Sequence, residues 1–426
     1  MLYKEERPIY FLFGFICIAS AGAGIIHQGL VPVMRGFVYL QLHPARLLND
    51  FSAAAGAGAA LLNAASVAAA GLTLIRITNV RLSGPTVAAF FTMMGFGLFG
   101  KTLLNITPII LGVFLAAKLS GKTFSQYIII ALFGTAAGPI ITFSIAEAGF
   151  SGLFAFLAGG GIGIVTGMLL PAIAVSMLQL HKGYNLYNIG LTCGFFAVFA
   201  AAIFSAAGLD LSGSIVWGTE KNHLLFYLIP ALSFLFFVTA IILEKKKSFT
   251  NLLKILKLPG RLPSDFFDMT SPAGGLLNMG LLGLMGWGYV LAVGGDLNGP
   301  VLGGILTIIG FGAFGKHVRN TPPVIAGVVL SCLLFGKSLA APGPILAALF
   351  ATTLAPIAGD FGIISGIAAG FVHLTIVERT AAWHGGINLY NNGFAGGLTA
   401  TLFMAVIEWY QSRNARRSRK GKKEKT

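Results

Sequence analysis

The heptapeptide GFGLFGK at residues 95–101 returns as GFGAFGK at residues 310–316, with one of its seven positions changed. Each heptapeptide ends in a lysine, an asparagine follows four residues later, and a proline follows three residues after that. These residues are Lys101, Asn105 and Pro108 in the first copy, and Lys316, Asn320 and Pro323 in the second. Glycine and proline interrupt an apolar helix and free backbone groups that protein or water must satisfy. The pattern therefore predicts a broken helix in each copy.

The same offset of 215 residues holds well beyond the heptapeptides, which indicates an internal duplication. The matching pairs are Asp50-Phe51 with Asp265-Phe266, Leu61-Leu62-Asn63 with Leu276-Leu277-Asn278, Gly84-Pro85 with Gly299-Pro300, and Gly121-Lys122 with Gly336-Lys337. A second motif, HxGxNLYN, begins at His181 and returns at His384, at an offset of 203 residues. The second copy is therefore expected to have lost about twelve residues, in the region that corresponds to 149–161.

The composition of the 426 residues excludes a soluble globule. Hydrophobic residues make up 56% of them and charged residues only 10%, against about 25% charged residues in a soluble domain. We count about fourteen apolar runs, and several are shorter than the ~20 residues that a straight span needs. The sequence therefore predicts an all-α integral membrane protein with about 14 transmembrane or re-entrant helices.

The two copies are predicted to be inverted in the membrane. Between the start of the first copy near Asp50 and the start of the second near Asp265 lie seven apolar runs, an odd number. If residues 84–120 form one re-entrant hairpin, two spans are removed and the number stays odd. Inverted repeats hold substrate near the midplane, around the axis between them.

The predicted domains are an N-terminal transmembrane helix and linker (1–46), repeat 1 (47–207), a connecting transmembrane helix with a basic loop (208–261), repeat 2 (262–410) and a basic tail (411–426).

The distribution of basic residues predicts the orientation of the chain. The net charge is +15, and of the 29 lysines and arginines six lie in the 245–261 loop and eight in the last fourteen residues, just outside apolar runs. This positive-inside pattern predicts cytoplasmic termini, contact with anionic headgroups and no nucleic-acid partner. For the first run, a signal peptide cleaved near residues 19–21 is an open alternative. Residues 248–258 are expected to form an interfacial helix whose apolar face includes Leu252 and Leu253.

The duplicated lysines are candidates for an anion site. Half-helix termini bind ions through their dipoles, and a lysine beside a helix break favours an anion. The predicted substrate-binding residues of this group are Lys101, Asn105, Lys316 and Asn320. The alternative is that both lysines mark loop ends or snorkel to the headgroups. Asn63 and Asn278 lie deeper in their apolar runs and are expected to form helix-to-helix hydrogen bonds.

The HxGxNLYN motif supplies a second group of candidate substrate-binding residues. Uncharged amides both donate and accept hydrogen bonds, as a site for a small polar solute requires. The members are Asn185, Tyr187 and Asn188 in the first copy, and Asn388, Tyr390 and Asn391 in the second. The alternative is that the asparagines cap helices and the tyrosines lie in an interfacial belt.

Four titratable residues are candidates for coupling transport to an ion. His181 and His384 could titrate in a proton-coupled cycle, although solvation at a loop end is the interpretation that we favour. Asp50 and Asp265 could bind a coupling cation. For these two residues, N-capping of the following helix is the simpler interpretation.

Enzyme signatures are absent from the sequence. It has no Walker loop and no HExxH, GxSxG or CxxC motif. The cysteines Cys17, Cys193 and Cys332 stand in apolar runs, where cysteine is a small packing residue. We therefore expect no catalytic residue, no metal site and no cofactor.

The paired GFGxFGK and HxGxNLYN motifs and the duplicated layout resemble a bacterial membrane family, domain of unknown function 1576. The resemblance covers nearly the whole chain and implies a bacterial cytoplasmic membrane, but it implies no substrate and no site residues. The residues themselves lead us to predict a secondary transporter of a small polar or anionic solute, with alternating access around a midplane site. The alternatives are a channel or facilitator, and a membrane-embedded scaffold or enzyme. Assembly into a homo-oligomer is left open.

Overall fold

The structure is a computed structural model that describes residues 6–213 and 215–423, the last ten of them by their backbone alone. Within these residues the chain forms helices and one isolated bridge, between Asn49 and Val216. In the described part of the chain, eight helical stretches are long and apolar enough to cross a membrane, and two of them, Phe124–Ala146 and Pro342–Trp383, join consecutive shorter helices. The prediction of an all-helical chain of the membrane type is thereby confirmed. The side chains of the predicted basic tail after Arg413 lie outside the described residues, as do residues 1–5.

The helices of each half follow the same order. The first half contains α1 (Arg7–Gln28), α2 (Leu30–Leu42), α3 (Phe51–Ala55), α4 (Ala57–Ile77), α5 (Gly84–Phe96), α6 (Leu103–Leu119), α7 (Ile128–Gly134), α8 (Pro139–Ala146), α9 (Gly152–His181) and α10 (Asn188–Ala206). The second half contains α11 (His223–Glu244), α12 (Lys246–Ile255), α13 (Phe266–Met269), α14 (Pro272–Ala292), α15 (Gly299–Phe311), α16 (Pro322–Leu334), α17 (Pro342–Ala351), α18 (Ala355–Trp383) and α19 (Asn391–Lys423). Short 3₁₀ helices lie at Phe124–Tyr127, Thr135–Ala137 and Thr352–Leu354.

The apolar helix is broken inside each heptapeptide, as predicted. In the first copy α5 ends at Phe96 and α6 begins at Leu103, because Thr102 and Asn105 form a capping box there. In the second copy the chain leaves α15 through Gly315, whose φ of +105° favours glycine.

Two asparagines satisfy the carbonyl groups that each break exposes. Nδ2 of Asn63 in α4 donates to the carbonyl oxygens of Gly97 and Lys101 at 2.7 and 2.8 Å. Asn278 in α14 donates in the same way to Gly312 and Lys316, at 2.7 Å in both cases. The prediction that these two residues form helix-to-helix hydrogen bonds is confirmed. A break in a spanning helix is tolerated when its freed groups are bonded within the protein.

Helices α5 and α15 lie antiparallel at the centre of the molecule. A Cβ on Gly84, at the start of α5, would lie 2.3 Å from the Ala313 carbonyl oxygen just beyond the end of α15. At the other end, a Cβ on Gly299 would lie 2.5 Å from the Leu98 carbonyl oxygen. Every residue of α15 is buried. At 13 residues each, these helices are about 20 Å long, which is shorter than the ~30 Å hydrocarbon core.

The contacts between the two copies are reciprocal. The Asp50 carboxylate accepts from the amide of Gly299 at 3.1 Å, and the Asp265 carboxylate accepts from the amide of Gly84 at 2.9 Å. These four residues correspond at the offset of 215. Each copy therefore holds the first turn of the other copy's central helix.

The two copies differ in how the helix after their 3₁₀ turn continues. In the first copy, α8 ends at Ala146 and a loop leads to α9 at Gly152. In the second copy, α18 runs through without a loop and bends at Gly362, which has a φ of +85°. The residues that the second copy lacks therefore lie at this loop and its helix ends.

Helix α12 overlaps the predicted helix at 248–258, and the face that packs against the protein is not its leucine face. Ser248, Asn251 and Ile255 are the residues buried against the protein. The Asn251 amide donates to Glu244 and to the Ser271 hydroxyl, at 2.9 Å in both cases. These polar contacts decide the orientation of the helix, and Leu253 is 60% exposed.

Contacts between loops gather several basic residues at one end of the molecule, which we call the basic end. Arg81 pairs with Asp268 at 3.0 Å. Nε of Arg261 donates to the Lys182 carbonyl oxygen at 2.9 Å, and the Lys182 ammonium pairs with Glu408. The loops before α5 and α14, the loop after α9, and the far part of α19 therefore share this end.

Candidate functional site

Lys101 is fully buried and contacts a tyrosine of the other copy. Its Nζ donates to the hydroxyl oxygen of Tyr390 at 2.8 Å. The ammonium lies 4.8 Å from the centre of the Tyr390 ring and 5.6 Å from that of Phe96. Aromatic faces attract cations at such distances.

Lys316 makes the reciprocal contact and is equally buried. Its Nζ donates to the hydroxyl oxygen of Tyr187, and to Oγ1 of Thr352 at 2.8 Å. The ammonium lies 4.4 Å from the Tyr187 ring centre and 5.1 Å from that of Phe311. The structure thus brings four of the predicted residues together in two pairs. In each pair one copy supplies the lysine and the other supplies the tyrosine.

Burial without a counter-ion distinguishes these lysines from ordinary membrane lysines. Both are 0% exposed, so the interpretation that they snorkel or mark loop ends is wrong. Among the described residues, no carboxylate lies within ion-pair distance of either ammonium. An ammonium has three donors, of which Lys101 uses one within this part of the chain. Donor capacity of the Lys101 side chain is therefore left unused by the described residues.

A cavity of about 880 Å³ extends from the basic end to the two tyrosines. Lys182, Pro263 and Asp265 line its mouth. It follows one face of α5 and reaches Tyr187 and Tyr390, both of which line it. The lysines do not line the cavity, but each of them contacts a tyrosine that does. Because each tyrosine oxygen accepts from a lysine, its O–H is left to donate to another acceptor.

The inner wall of the cavity is aromatic. Phe96, Phe311 and Phe350 line it, together with the two tyrosines. The ring centres of Phe96 and Phe350 are 5.6 Å apart, and Phe350 lies 6.4 Å from Tyr187. The sequence motifs contain Phe96 and Phe311, but Phe350 lies outside them and was missed. Thr352 was missed for the same reason.

The first turns of α10 and α19 meet at the cavity. Gly190 and Gly393 line it, and a Cβ on Gly190 would lie 2.8 Å from the Cα of Gly393. Asn188 and Asn392 line it beside them. Helix N-termini carry partial positive charge and unpaired N–H groups. These two helix N-termini therefore contribute partial positive charge to this part of the cavity.

Four other predicted asparagines are engaged with the backbone. Asn105 accepts from the amide of Thr102 at 2.9 Å, and Asn320 donates to the Gly315 carbonyl at 2.9 Å. Asn185 donates to the carbonyl oxygens of Tyr187 and Gly393, and Asn388 accepts from the Tyr390 amide. None of the four lines the described cavity. As solute ligands they stay a prediction, and their observed contacts shape the loops.

Both motif histidines are buried, so the interpretation that they are solvated at loop ends is wrong. Nε2 of His181 lies 2.9 Å from Oδ1 of Asn188, and Nε2 of His384 lies 3.1 Å from Oδ1 of Asn391. Each asparagine also donates to the carbonyl oxygen of the preceding helix, at Ala174 and at Val377. The pairs therefore fix the loops that carry the tyrosines. A role in proton coupling stays a prediction.

The two duplicated aspartates cap helices, as the simpler interpretation proposed. Asp50 accepts from the amide of Ser52 at 2.9 Å, and Asp265 accepts from the amide of Phe267 at 3.1 Å. A role in binding a coupling cation stays a prediction. Within residues 6–213 and 215–423, no three metal-ligating side chains are grouped to hold a metal ion.

Residues 209–213 and 215–218, which we call the 209–218 segment, cover the end of the molecule opposite the mouth. Val216 pairs with the backbone beside Asn49, and the Gly218 amide donates to Asp50 at 3.1 Å. Nη1 of Arg46 donates to the carbonyl oxygens of Leu211 and Ser212, at 2.6 and 2.9 Å. These bonds hold the segment over the ends of α5 and α15.

Arg46 is itself held by a carboxylate and a ring. It is 3% exposed, it pairs with Glu147, and its guanidinium lies 4.7 Å from the ring centre of Phe143. Hydrogen bonds from the side chain and amide of Ser212 lower the pKa of Asp210, whose carboxylate therefore stays charged near Arg46.

An equivalent arginine at the basic end is exposed. Arg261 corresponds to Arg46 at the offset of 215, within a shared PxRLxxDF pattern. It lies 4.5 Å from the Tyr184 ring centre and contacts the Lys182 carbonyl, and it remains exposed to solvent. This pair is not among the predicted site residues, although the two arginines correspond at the same offset as the other duplicated residues.

Comparison with known proteins gives one match. A family model with the description Protein of unknown function (DUF1576) matches residues 31–206 and 244–409, which together make up most of the chain. No curated protein and no solved structure matches the chain.

Proposed function

Because the chain belongs to the family described as Protein of unknown function (DUF1576), which assigns no activity, we propose its function from its geometry. In this proposal the protein is a secondary transporter of an anionic solute, and it works by alternating access between two inverted repeats. The observation that carries this proposal is the reciprocal pair of buried lysine–tyrosine contacts beside a cavity that reaches the basic end. The anion binds to the tyrosine hydroxyls and the first turns of α10 and α19, in the field of both ammonium groups.

The reciprocal contacts support two inverted repeats. Exchange of partners between equivalent residues is what a two-fold axis between the copies produces. Because α5 and α15 are antiparallel, that axis runs perpendicular to them. If these helices stand along the membrane normal, the axis lies in the membrane plane. We infer about fourteen spanning or re-entrant segments arranged in this way.

The difference between the two ends supports alternating access over a fixed pore. The cavity reaches the basic end, whereas the 209–218 segment covers the opposite end. A channel needs a path through both ends at once. In the other state of the cycle, Arg46 releases its segment and Arg261 closes the basic end.

The charge distribution supports a cytoplasmic basic end in a bacterial cytoplasmic membrane. Glu6, just before α1, pairs with Arg81 at this end, at 3.3 Å. The basic 245–261 loop leads into it, where its lysines can meet anionic headgroups. The described state is then open to the cytoplasm, with both termini on that side.

Uptake into liposomes tests the proposed function. Reconstituted protein is expected to accumulate a labelled anion with a rate that saturates, with acetate, phosphate and benzoate as probes. Unlabelled anion inside the liposomes should accelerate uptake, because a carrier returns faster when it is loaded. Protein-free liposomes are the control. Uptake that rises linearly with concentration and shows no such acceleration would favour the channel.

The hydrogen bonds from Arg46 to the 209–218 segment give a second test of the proposed function. In Arg46→Gln, the 209–218 segment loses its guanidinium hydrogen bonds, which are worth about 1 kcal/mol or more each. A cysteine introduced as Leu211→Cys is therefore expected to react at least about tenfold faster with an impermeant maleimide applied to intact cells. Arg35→Gln, at an exposed position of α2, is the matched control. Equal rates in both backgrounds would show that Arg46 does not hold this end closed.

A further inference from the structure

The cavity is apolar along most of its inner surface. Beyond the phenylalanines already described, Phe133, Ile130 and Leu389 line it. Two threonines also line it, but the hydroxyls of Thr92 and Thr307 donate to carbonyl oxygens of their own helices, at 2.6 and 2.8 Å. The polar groups that can form hydrogen bonds with a ligand therefore lie at the tyrosine end of the cavity and at its mouth.

The size of the cavity does not fit a small inorganic anion. Its volume of about 880 Å³ compares with ~30 Å³ for one water molecule in the liquid. It lies within the ~300–1,000 Å³ range of pockets that bind drug-sized ligands, which are likewise mostly apolar with few polar groups. A hydrated ion would lose its water against rings that cannot replace the lost hydrogen bonds.

One side of the cavity is formed by residues that also face outward. Val175 and Leu178 of α9 line it and are 62% and 41% exposed. Both side chains are apolar, and they precede Lys182 by one to two helical turns. An apolar group thus has a continuous apolar surface from the outside of α9 to the phenylalanines.

We propose that the solute is an organic anion with an apolar body. Its anionic head binds the hydroxyls of Tyr187 and Tyr390, and its body packs among Phe96, Phe311 and Phe350. This inference rests on the proposed function and narrows its solute class. A soluble aromatic acid and a fatty acid from the membrane share this chemistry, and the experiment distinguishes them.

Thermal unfolding of the full-length protein in lipid nanodiscs tests the inference. The probes are 2-naphthoate and decanoate, acetate and phosphate as small anions, and 2-naphthalenemethanol as the neutral analogue. We expect 2-naphthoate to raise Tm in a saturable way, and acetate, phosphate and the alcohol to leave it unchanged. Stabilisation by decanoate alone would also support the inference and would indicate a membrane-borne solute.

A cavity variant checks where the probe binds. Phe350→Ala removes a ring from the wall and is expected to weaken 2-naphthoate binding at least about tenfold, while Phe335→Ala, which removes a 51% exposed ring, should leave it unchanged. The Tm without probe shows whether each variant folds. If Phe350→Ala does not fold, Phe350→Leu serves in its place.

The contrary outcomes separate the inference from the proposed function. Stabilisation by acetate or phosphate without 2-naphthoate or decanoate would overturn the inference and leave an anion transporter. Equal stabilisation by the neutral alcohol would overturn both, because the charge would then be irrelevant. Binding that Phe335→Ala and Phe350→Ala weaken equally would overturn the assignment of this cavity. If no probe binds, the inference is wrong, and the uptake of small anions decides the proposed function.

Discussion

The double variant Lys101→Met, Lys316→Met is expected to lose anion binding and uptake while its folded structure stays as stable as before. Each tyrosine hydroxyl that binds the anion accepts a hydrogen bond from a lysine, so the loss of both ammonium groups removes the positive charge behind the two hydroxyls. A hydrogen bond to a charged group contributes about 1.5–3 kcal/mol, and on that scale anion binding should weaken by about 100-fold or more. Both lysines are fully buried, and no described carboxylate pairs with them. A charge at bilayer depth costs at least ~2.5 kcal/mol. Methionine removes this cost, which offsets the loss of the lysine–tyrosine hydrogen bonds.

The measurements are uptake into liposomes and Tm in the same preparation. Lys122→Met, at an exposed position, makes the same chemical change outside the site and should alter neither. The single variants should show intermediate losses, because one of the two lysine–tyrosine pairs keeps its charge. Full uptake by the double variant would remove the anion site. A large fall in Tm with uptake preserved would show instead that the lysines have a purely structural role.

Gly95→Val is expected to destabilise the protein severely or prevent its folding. Gly95 lies where α5 crosses α15, and a Cβ there would stand 2.6 Å from the Gly303 carbonyl oxygen and 3.1 Å from its Cα. The obstacle is backbone on a buried helix, which cannot move aside as a flexible side chain can. Overpacking typically costs about 1–3 kcal/mol, and a clash with backbone lies at or beyond the upper end of that range.

The matched control for this variant is Gly288→Val in α14, where a Cβ would meet nothing within 4 Å. Both changes place a β-branched residue within a helix, so intrinsic helix propensity is equal in the two. Yield of monodisperse protein and Tm are the readouts. Equal values for the two variants would show that the two central helices can separate without cost.

The sequence predicted features whose cause is local. The helix break follows from the glycines and from the cap at Thr102 and Asn105, which lie within a few residues of one another. Helix α2 was missed, because Gly29 separates it from α1 and its proline and basic residue read as a linker. The face of α12 that packs against the protein was not predicted, since Asn251 contacts Glu244 of α11 and Ser271 just before α14, and no periodicity reveals such partners.

The pairing within the site was beyond sequence reasoning for a different reason. Lys101 and Tyr390 are 289 positions apart, and their contact depends on how the two copies cross. The motifs identified the two lysines and the two tyrosines as candidate site residues. They could not show which lysine contacts which tyrosine. Duplication alone permits a lysine to meet the tyrosine of its own copy, and only the fold selects the other one.

The reciprocal contacts also constrain which amino-acid substitutions each copy can accept during evolution. A substitution at Tyr187 affects Lys316 and not Lys101, so each half inherits a constraint from the other. After such a duplication, neither half can drift alone without loss of fitness. If residues 1–243 and 244–426 are produced as separate chains, we expect activity only when both chains are present in the same cell.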